Sequence, residues 1–241
     1  MKHIASATNE ELKHIRKLLK DKAYRYEQKQ FVAEGFLSIE QLGCAVTGLY
    51  CTKGTELPKN FSGTVITVEP ELLNAISEVE NSQGLIGVCS LNLKDKTFVA
   101  NAGRYVFLDR IQDPGNLGTI IRTALAFGIN GVILNKGCVD PFSPKVVRST
   151  MGALTAISII SSEFSDLSHL NTIAADNSGT NIRTITEKPK DFVLCVGNEA
   201  QGLAPEIIQA CKKTLAIPQT AEIDSLNAAI ATGILLFALT N

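Results

Sequence analysis

The stretch DPGNLGTIIRTALAFG, residues 113–128, follows the apolar run YVFL of residues 105–108. Its apolar residues recur at helical spacing, which predicts a helix buried along one face: Leu117, Ile120, Ile121, Ala124 and Leu125. Gly128 is suited to end this helix in the left-handed conformation. Asn116 lies at the helix start and Arg122 points away from the apolar side, so neither is needed for packing. A strand, a turn and a buried helix in this order predict an α/β fold.

Taken alone, this turn has three interpretations. The first is a structural turn, in which proline and glycine bend the chain and Asn116 caps the helix. A phosphate cradle of Rossmann type needs G-x-G-x-x-G, and no two of the 18 glycines are two residues apart. A Walker loop needs G-x-x-x-x-G-K-[ST], but residues 197–202, which have that glycine spacing, continue with Leu203 and Ala204. Both nucleotide-binding motifs are disfavoured, and a catalytic site remains the alternative to a structural turn.

Strands and helices alternate along the rest of the chain. In the second part, short runs rich in Val, Ile and Leu predict a mostly parallel sheet covered on both faces: residues 105–108, 131–134, 156–160, 171–175, 192–196 and 214–217. In the first part, FVAEG, AVTGLYC, GTVITV and GLIGVCSL are predicted strands, and FLSIEQLG and PELLNAI are predicted helices. We therefore predict a small α/β domain at residues 1–95, a linker at 96–103 and a larger α/β domain at 104–241.

Three helix starts carry capping signals. Thr8 with Glu11 three residues later predicts a capping box for the first helix. Ser143 before Pro144 predicts the start of a helix in KVVRSTMGALT. Ser225 can cap the helix LNAAIATGILLFAL at the carboxyl end of the chain.

Composition excludes several classes of protein. With 241 residues, of which 45% are apolar and 20% charged, the chain is typical of a soluble globular protein. No apolar run is long enough for a signal peptide or a membrane span, so we expect a cytoplasmic protein that does not bind membranes. The six cysteines form no CxxC pair and the three histidines lie far from them, which argues against a metal site and a disulfide framework.

The net charge of −1 gives no sign of nucleic-acid binding, but the charge is unevenly distributed. Before Phe31 there are eight Lys or Arg and four Asp or Glu, a local balance of +4. This segment either meets phosphates or is a solvated helix face, and charge alone favours the solvated face. If this segment binds nucleic acid, removing the residues before Phe31 should weaken that binding.

Two further turns support the interpretation of the first turn as part of a site. VGNEAQGL, residues 196–203, follows a strand, and IPQTAEIDSLNAAIATG, residues 217–233, runs from a strand into the last helix. Each turn carries polar residues where a parallel sheet places its ligand, beyond the carboxyl ends of its strands. Three such turns make a shared site the better interpretation.

Together these segments resemble the three ordered motifs of the SpoU/TrmH family of RNA ribose 2'-O-methyltransferases. The resemblance rests on LDRIQDPGNLGTIIRTALAFGI, LCVGNEAQGL and IPQTAEIDSLNAAIATGILLF, with SPKVVRSTMGAL between them, and spans residues 104–241. FVAEG and SQGLIGV resemble the ribosomal-protein-like substrate-binding domain of the family. The sequence departs from the usual motifs at Ala200, where many members have glycine, and at SLNAAIA.

The resemblance implies a fold and a reaction. The fold is a SPOUT-like mostly parallel sheet with a trefoil knot, and the protein acts as a homodimer with active sites near the subunit interface. The reaction is the transfer of a methyl group from S-adenosylmethionine to a ribose 2'-hydroxyl of ribosomal or transfer RNA, without a metal. The alternative is an RNA-binding protein that has the fold without the activity, and a Rossmann-type enzyme is a third possibility that lacks its glycine signature.

The resemblance also assigns roles to residues. The catalytic set is Asn116, Arg122, Glu199, Ser225 and Asn227, the cofactor-binding set is Gly197, Ile217 and Leu226, and Arg148 is a candidate phosphate contact. In this assignment Arg122 holds the target phosphate and stabilises the developing alkoxide, because a guanidinium resists deprotonation and makes a poor general base. Ser225 is either a ligand contact or a helix cap, and Arg148 is otherwise a solvated arginine.

Overall fold

The computed structural model describes residues 2–59, 61–79, 82–95, 97, 102–220, 222 and 225–240. The chain forms two compact units. Unit 1 consists of Met1–Asn92 with Asp140–Thr155, and unit 2 consists of Leu93–Val139 with Ala156–Asn241. None of the described helices is long and apolar enough to cross a membrane.

Helices and strands alternate along the chain in both units. The helices are α1 (Glu10–Lys20), α2 (Lys22–Gln28), α3 (Phe36–Leu42), α4 (Pro70–Asn74), α5 (Pro114–Ala126), α6 (Pro144–Thr150), α7 (Pro205–Ala210) and α8 (Ala228–Thr240). The strands are β1 (Lys2–Ile4), β2 (Gln30–Glu34), β3 (Val46–Cys51), β4 (Thr64–Val68), β5 (Leu85–Ser90), β6 (Leu93–Asp95), β7 (Arg104–Leu108), β8 (Gly131–Leu134), β9 (Ser158–Ser161), β10 (Thr172–Asn181), β11 (Phe192–Val196) and β12 (Lys213–Ala216).

Unit 1 is built on a five-stranded mixed sheet in the order β1-β4-β3-β5-β2. The apolar side of α1 covers this sheet, and Leu12, Ile15 and Leu18 are completely buried there. The amino-terminal basic segment is therefore part of the core of unit 1. Lys13, Lys17 and Lys20 lie on the solvated face of the amphipathic helix α1, whereas Arg25 is buried.

The segment 140–155 belongs to unit 1 by its contacts, although it lies between two strands of the other sheet in the sequence. The buried guanidinium of Arg25 donates from Nε and Nη2 to Asp140 Oδ2 at 2.9 and 2.6 Å, and the Tyr26 hydroxyl donates to Asp140 Oδ1 at 2.9 Å. The predicted second domain, 104–241, included this segment. The predicted domain bounds stay a prediction, and in the predicted linker 96–103, residues 96 and 98–101 lie outside the described residues.

Unit 2 is built on a seven-stranded sheet in the order β12-β10-β11-β7-β8-β9-β6, and every pairing in it is parallel. The central strands are apolar on both faces, as a sheet covered on both sides requires; Phe107, Leu194 and Ile133 are completely buried. This confirms the predicted α/β fold with a mostly parallel carboxyl-terminal sheet. All strands run in the same direction, so the turns after β7, β11 and β12 lie at the same edge.

Candidate active site

Three of the predicted site residues are joined by hydrogen bonds. Asn116, in the first turn of α5, donates from Nδ2 to Glu199 Oε1 at 2.9 Å. Its Oδ1 accepts a hydrogen bond from Asn227 Nδ2 at 2.8 Å. The amide of Asn116 therefore bridges the turn after β11 and the segment that leads into α8. An asparagine has both a donor and an acceptor, and this position uses both.

The start of α5 is held by Asp113. This residue is the N-cap of the helix, and its Oδ1 accepts the backbone N–H of Asn116 at 2.7 Å. Pro114 occupies the first helical position, which needs no N–H donor. The cap thus belongs to Asp113, and the side chain of Asn116 is left to make the contacts described above.

The turn after β11 is closed by its own backbone. Asn198 and Gly202 exchange two backbone hydrogen bonds of 3.0 and 2.9 Å, and Asn198 Oδ1 accepts from the N–H groups of Ala200 and Gln201. A side chain at Gly197 would place Cβ 2.0 Å from the carbonyl carbon of Gly202. Only glycine fits at this close approach of two backbone segments.

Asp109, which was not predicted as a site residue, ties this turn to the end of β7. The carboxylate is buried and accepts hydrogen bonds from Asn135 Nδ2 at 2.9 Å, Arg110 Nη2 at 2.8 Å and the Ala204 N–H at 3.2 Å. Burial by itself raises the pKa of Asp109, but these hydrogen bonds outweigh burial and hold the pKa below its ordinary value. An acidic residue directly after a buried strand was the available signal.

The predicted cofactor residues Gly197, Ile217 and Leu226 all line one cavity of about 170 Å³. Glu199 and Ser225 line the same cavity. Each of these residues carries a backbone N–H and C=O, so apolar residues at these positions are compatible with a binding site for a polar molecule.

Four polar residues of the cavity were also missed from the sequence: Asp176, Asn177, Asn198 and Gln219. Gln219 donates from Nε2 to Asn177 Oδ1 at 3.1 Å. Its Oε1 is buried, and in the described part of the chain no hydrogen-bond donor reaches it. A buried acceptor without a partner costs free energy, which a ligand with an N–H or O–H group at this place can recover. The run ADNSG after a strand was the sequence signal for two of these residues.

Arg122, Ser225 and Arg148 are placed differently from the residues joined to Asn116. Arg122 is exposed on α5, and within the described ranges it makes no hydrogen bond or ion pair. Ser225 is exposed and is not the cap of α8, because Asn227 Oδ1 accepts the N–H groups of Ala229 and Ile230. Arg148 lies in unit 1, with Nη1 3.7 Å from Glu34 Oε1.

Two family models match the chain. The model of the SpoU rRNA Methylase family matches residues 103–237, and the model of the MRM3-like substrate binding domain matches residues 9–87. The chain belongs to the SpoU rRNA methylase family. The first match contains all three turns of the candidate active site, and the second contains most of unit 1.

The chain is similar to members of the SpoU family over nearly its whole length. It is 30% identical to the 23S rRNA (guanosine(2553)-2'-O)-methyltransferase RlmP of Bacillus subtilis, with 99% of each chain covered. It also resembles the crystal structure of an AdoMet-bound rRNA methyltransferase from Sinorhizobium meliloti, with a TM-score of 0.86. The two sequences are 36% identical, and the match covers 99% of this chain and 97% of that one. The SpoU methyltransferase AviRb from Streptomyces viridochromogenes, in complex with AdoMet, is 25% identical over 96% and 97% of the two chains, with a TM-score of 0.85.

Over the described ranges, no group of three or more His, Cys, Asp or Glu is placed to hold a metal ion. The polar groups around Asn116 are amides and a carboxylate that bond one another. Such a network positions backbone segments and a substrate, and it offers no obvious nucleophile of its own.

Proposed function

We propose that this protein is an S-adenosylmethionine-dependent RNA 2'-O-ribose methyltransferase that acts on ribosomal or transfer RNA. The observation that carries the proposal is the bridge from Asn227 through Asn116 to Glu199, which draws the three turns together beside one cavity. The two AdoMet-bound relatives and the RlmP relative support the same cofactor and the same class of reaction.

The residues of the cavity fit S-adenosylmethionine. The cofactor carries an adenine amino group, ribose hydroxyls and an ammonium group, and all of these can donate hydrogen bonds. The unpartnered Gln219 Oε1 and the backbone around Gly197, Ile217 and Leu226 offer acceptors for such donors. When bound, the cofactor supplies an electrophilic methyl group, and the chain has to align the accepting hydroxyl and stabilise its charge.

We assign the two sets of predicted catalytic residues to different tasks. Asn116, Glu199 and Asn227 position the turns, since each is already engaged with another member of the set. Arg122 is exposed and its guanidinium has no partner among the described residues, so it is available to hold an RNA phosphate and to stabilise the alkoxide that develops at the 2'-oxygen. Ser225 lines the cavity, and we assign it to contact with the cofactor.

A homodimer is part of the proposal. Three apolar side chains of α8 are exposed at helical spacing, namely Ile230 at 56%, Ile234 at 37% and Phe237 at 62%. Leu125 of the neighbouring helix α5 is exposed at 37%, and the ring of Phe127 contacts that of Phe237 with centroids 6.4 Å apart. An apolar surface of this kind is typical of a protein interface. Arg122 lies on the same helix as Leu125, so a second copy on this face would approach the arginine.

A cytoplasmic location accompanies this function. All six cysteines are free, including Cys51, Cys89 and Cys195, which are buried. Free thiols suit a reducing compartment.

The experiment that tests the proposal measures methyl transfer directly. Purified protein is incubated with methyl-labelled S-adenosylmethionine and total RNA from cells that lack the gene for the protein, and the methylated ribose is then mapped. We expect label in ribosomal or transfer RNA at a 2'-oxygen that is unmethylated in the deletion strain. RNA binding without label transfer would instead support the inactive RNA-binding alternative, and label on a base would contradict the ribose assignment.

A further inference from the structure

Unit 1 contains a recess of its own, and Arg148 is the one residue of the predicted site that lines it. It lies beside α3 and has a volume of about 240 Å³. Four of its ten lining residues are large apolar ones, namely Leu37, Val79, Leu85 and Met151, and five are polar or charged: Glu34, Ser38, Ser82, Gln83 and Arg148. We call it the α3 recess. All of these residues belong to unit 1.

Two polar residues of the α3 recess have unused hydrogen-bonding capacity. Ser38 is 8% exposed, and its buried Oγ has no hydrogen-bond partner among the described residues. Arg148 Nη1 is also buried without a hydrogen bond in the described part of the chain; it forms an ion pair with Glu34 Oε1 at 3.7 Å, which is too long for a hydrogen bond. Glu34 is committed elsewhere, because it accepts from Ser77 Oγ at 2.5 Å and from the Glu78 N–H at 3.2 Å. Buried polar groups normally have partners, so a hydroxyl and a guanidinium N–H unpaired in one recess indicate a ligand.

The apolar residues at the α3 recess are unusually exposed. Leu37 is 58% exposed and Met151 is 42% exposed, and both are among the few large apolar side chains that the described parts of the chain leave open to solvent. Met151 also has a φ of +47°, which is uncommon for a residue with a side chain. Methionine is a flexible apolar contact that adapts to the face of a planar ligand.

We propose that the α3 recess binds an unstacked base of the substrate RNA. This proposal rests on the proposed function and deepens it, because it assigns to unit 1 a nucleotide site of its own. A base has apolar faces and a polar edge, which match the apolar walls and the unpaired groups of the recess. Proteins read single-stranded RNA largely by holding such splayed bases and bonding their edges. Ser38 Oγ and Arg148 Nη1 donate to acceptors on the base edge, and the rest of the guanidinium faces the adjoining phosphate.

The most direct competitor is a protein partner, including a second copy of this chain. The centre of a protein interface is depleted of charged groups, whereas the α3 recess contains the ion pair of Arg148 and Glu34, and Arg148 Nη1 makes no hydrogen bond within the described residues. The substrate-binding-domain match covers residues 9–87 and therefore Leu37, Ser38, Val79 and Leu85. Both observations favour RNA as the occupant.

The sequence provides a selective probe, because the chain has two methionines, Met1 and Met151. Full-length protein labelled with ¹³C at the methionine methyl groups is titrated with each of the four nucleoside 5'-monophosphates, and Met151→Leu assigns the signals. We expect a saturable shift of the Met151 signal with nucleotides and none with ribose 5-phosphate or inorganic phosphate. No shift with any nucleotide, or an equal shift with inorganic phosphate, would overturn the proposal.

A second experiment measures RNA binding by a variant of Leu37. This residue is exposed, so its substitution should leave the fold intact. Leu37→Glu places a negative charge at the α3 recess, and Cys44→Glu places one at an exposed position that does not line it. We expect Leu37→Glu to weaken binding of substrate RNA about ten-fold, or about 1.4 kcal/mol, and Cys44→Glu to leave the affinity unchanged, with the same affinity for S-adenosylmethionine in both. Unchanged RNA affinity in Leu37→Glu, with or without a change in oligomeric state, would contradict the recess. If wild-type protein methylates RNA and Leu37→Glu binds it normally, the proposed function stands and only this inference fails.

Discussion

At the scale of single residues, the site depends on one amide that is used at both ends. Asn116 donates to Glu199 and accepts from Asn227, so no residue with only one of these capacities can replace it. The sequence places Asn116 at a helix start, where an asparagine is usually a cap. The structure gives the cap to Asp113, and a neighbouring acidic residue therefore decides what Asn116 does.

Asn116→Asp tests the bridge through its pH dependence. The substitution places a second carboxylate 2.9 Å from the Glu199 carboxylate, and like charges at this distance raise the pKa of the pair. We expect methyl transfer to fall at least about ten-fold at neutral pH and to recover partly as the pH is lowered, since one shared proton relieves the repulsion. The measurement is the rate of label transfer as the pH is lowered from neutral to about 5, near which the raised pKa of such a carboxylate pair lies. Asn130→Asp, whose side-chain oxygen accepts from the Arg104 N–H outside the cavity, should keep the wild-type profile.

At Arg122, the positive charge and the planar shape of the guanidinium can be tested by separate substitutions. Arg122→Ala should lower methyl transfer by about 10²-fold or more, in line with the removal of one group that stabilises a developing oxyanion. Arg122→Lys keeps the charge without the planar fork and should retain part of the activity. Cofactor affinity, measured by calorimetry, should be unchanged in both, and Arg183→Ala is a matched exposed control. Full activity in both variants would remove Arg122 from the mechanism.

Two helix caps illustrate the limits of reading residues alone. The capping box predicted at Thr8 is wrong, because α1 begins at Glu10 and its cap is Asn9, whose Oδ1 accepts the N–H of Glu11. The cap predicted at Ser225 is also wrong, since Asn227 caps α8. In both cases several capping residues stand close together in the sequence, and the backbone path selects one of them.

At the scale of elements, close backbone packing in the turn after β11 explains why the sequence has glycine at position 197 beside the cavity. The six residues 197–202 return so tightly that Gly197 contacts the backbone of Gly202 and Leu203. The Asp109 carboxylate then anchors the far side of the turn through the Ala204 N–H. The conformation of the turn therefore depends on contacts with residues after β7 as well as on its own backbone packing after β11.

Gly197→Ala tests this element. The new Cβ would lie 2.0 Å from backbone atoms, which have no side-chain freedom with which to move aside, so the turn must open. We expect S-adenosylmethionine affinity to fall at least about ten-fold and the protein to lose about 1–3 kcal/mol of stability, as overpacking typically costs. Calorimetry and denaturant unfolding measure the two quantities. Gly233→Ala, whose Cβ would meet Thr123 at an ordinary 3.6 Å, should change neither by a comparable amount.

The packing of the amino-terminal basic segment shows that it contributes to the core of unit 1. Removing residues before Phe31 would take away Leu12, Ile15 and Leu18, which are completely buried, so the loss of RNA binding would report unfolding of unit 1. Exposed charges on the same helix offer a cleaner test. Lys17 lies over the ring of Tyr24 at 4.5 Å, and Lys20 is exposed at the end of α1.

We expect Lys17→Glu with Lys20→Glu to weaken RNA binding and to reduce its salt dependence, if α1 contacts phosphates. Each phosphate contact that is lost should lower the slope of log affinity against log salt by about 1. Filter binding at several salt concentrations measures this, with cofactor affinity as the internal control. An unchanged slope would assign α1 to the solvated face that its charge pattern alone favours.

At the scale of the whole molecule, the chain combines an all-parallel sheet with a mixed sheet, and residues 140–155 belong to the mixed-sheet unit. The predicted fold class and family membership are confirmed. The trefoil knot stays a prediction, as do the homodimer and the individual roles of the site residues.

Phe237→Glu tests the homodimer. A charge in the exposed apolar side of α8 should prevent two copies from associating, because burying an unpaired carboxylate is costly. We expect sedimentation to show a dimer for the wild type and a monomer for the variant, with methyl transfer reduced in parallel. Lys213→Glu, an exposed charge change on β12, should leave the dimer intact. A wild-type monomer with full activity would contradict the homodimer.

The sequence by itself determined the class of fold, because apolar runs and helical spacing are local and survive in the order of residues. It also identified the family, since three ordered motifs are a long-range pattern that can be read without coordinates. Only the tertiary structure decided which polar residues meet. Asp109, Gln219 and the recess beside α3 depend on side chains that are distant in the chain, and their hydrogen bonds and burial arise only when the strands are paired and the turns are packed.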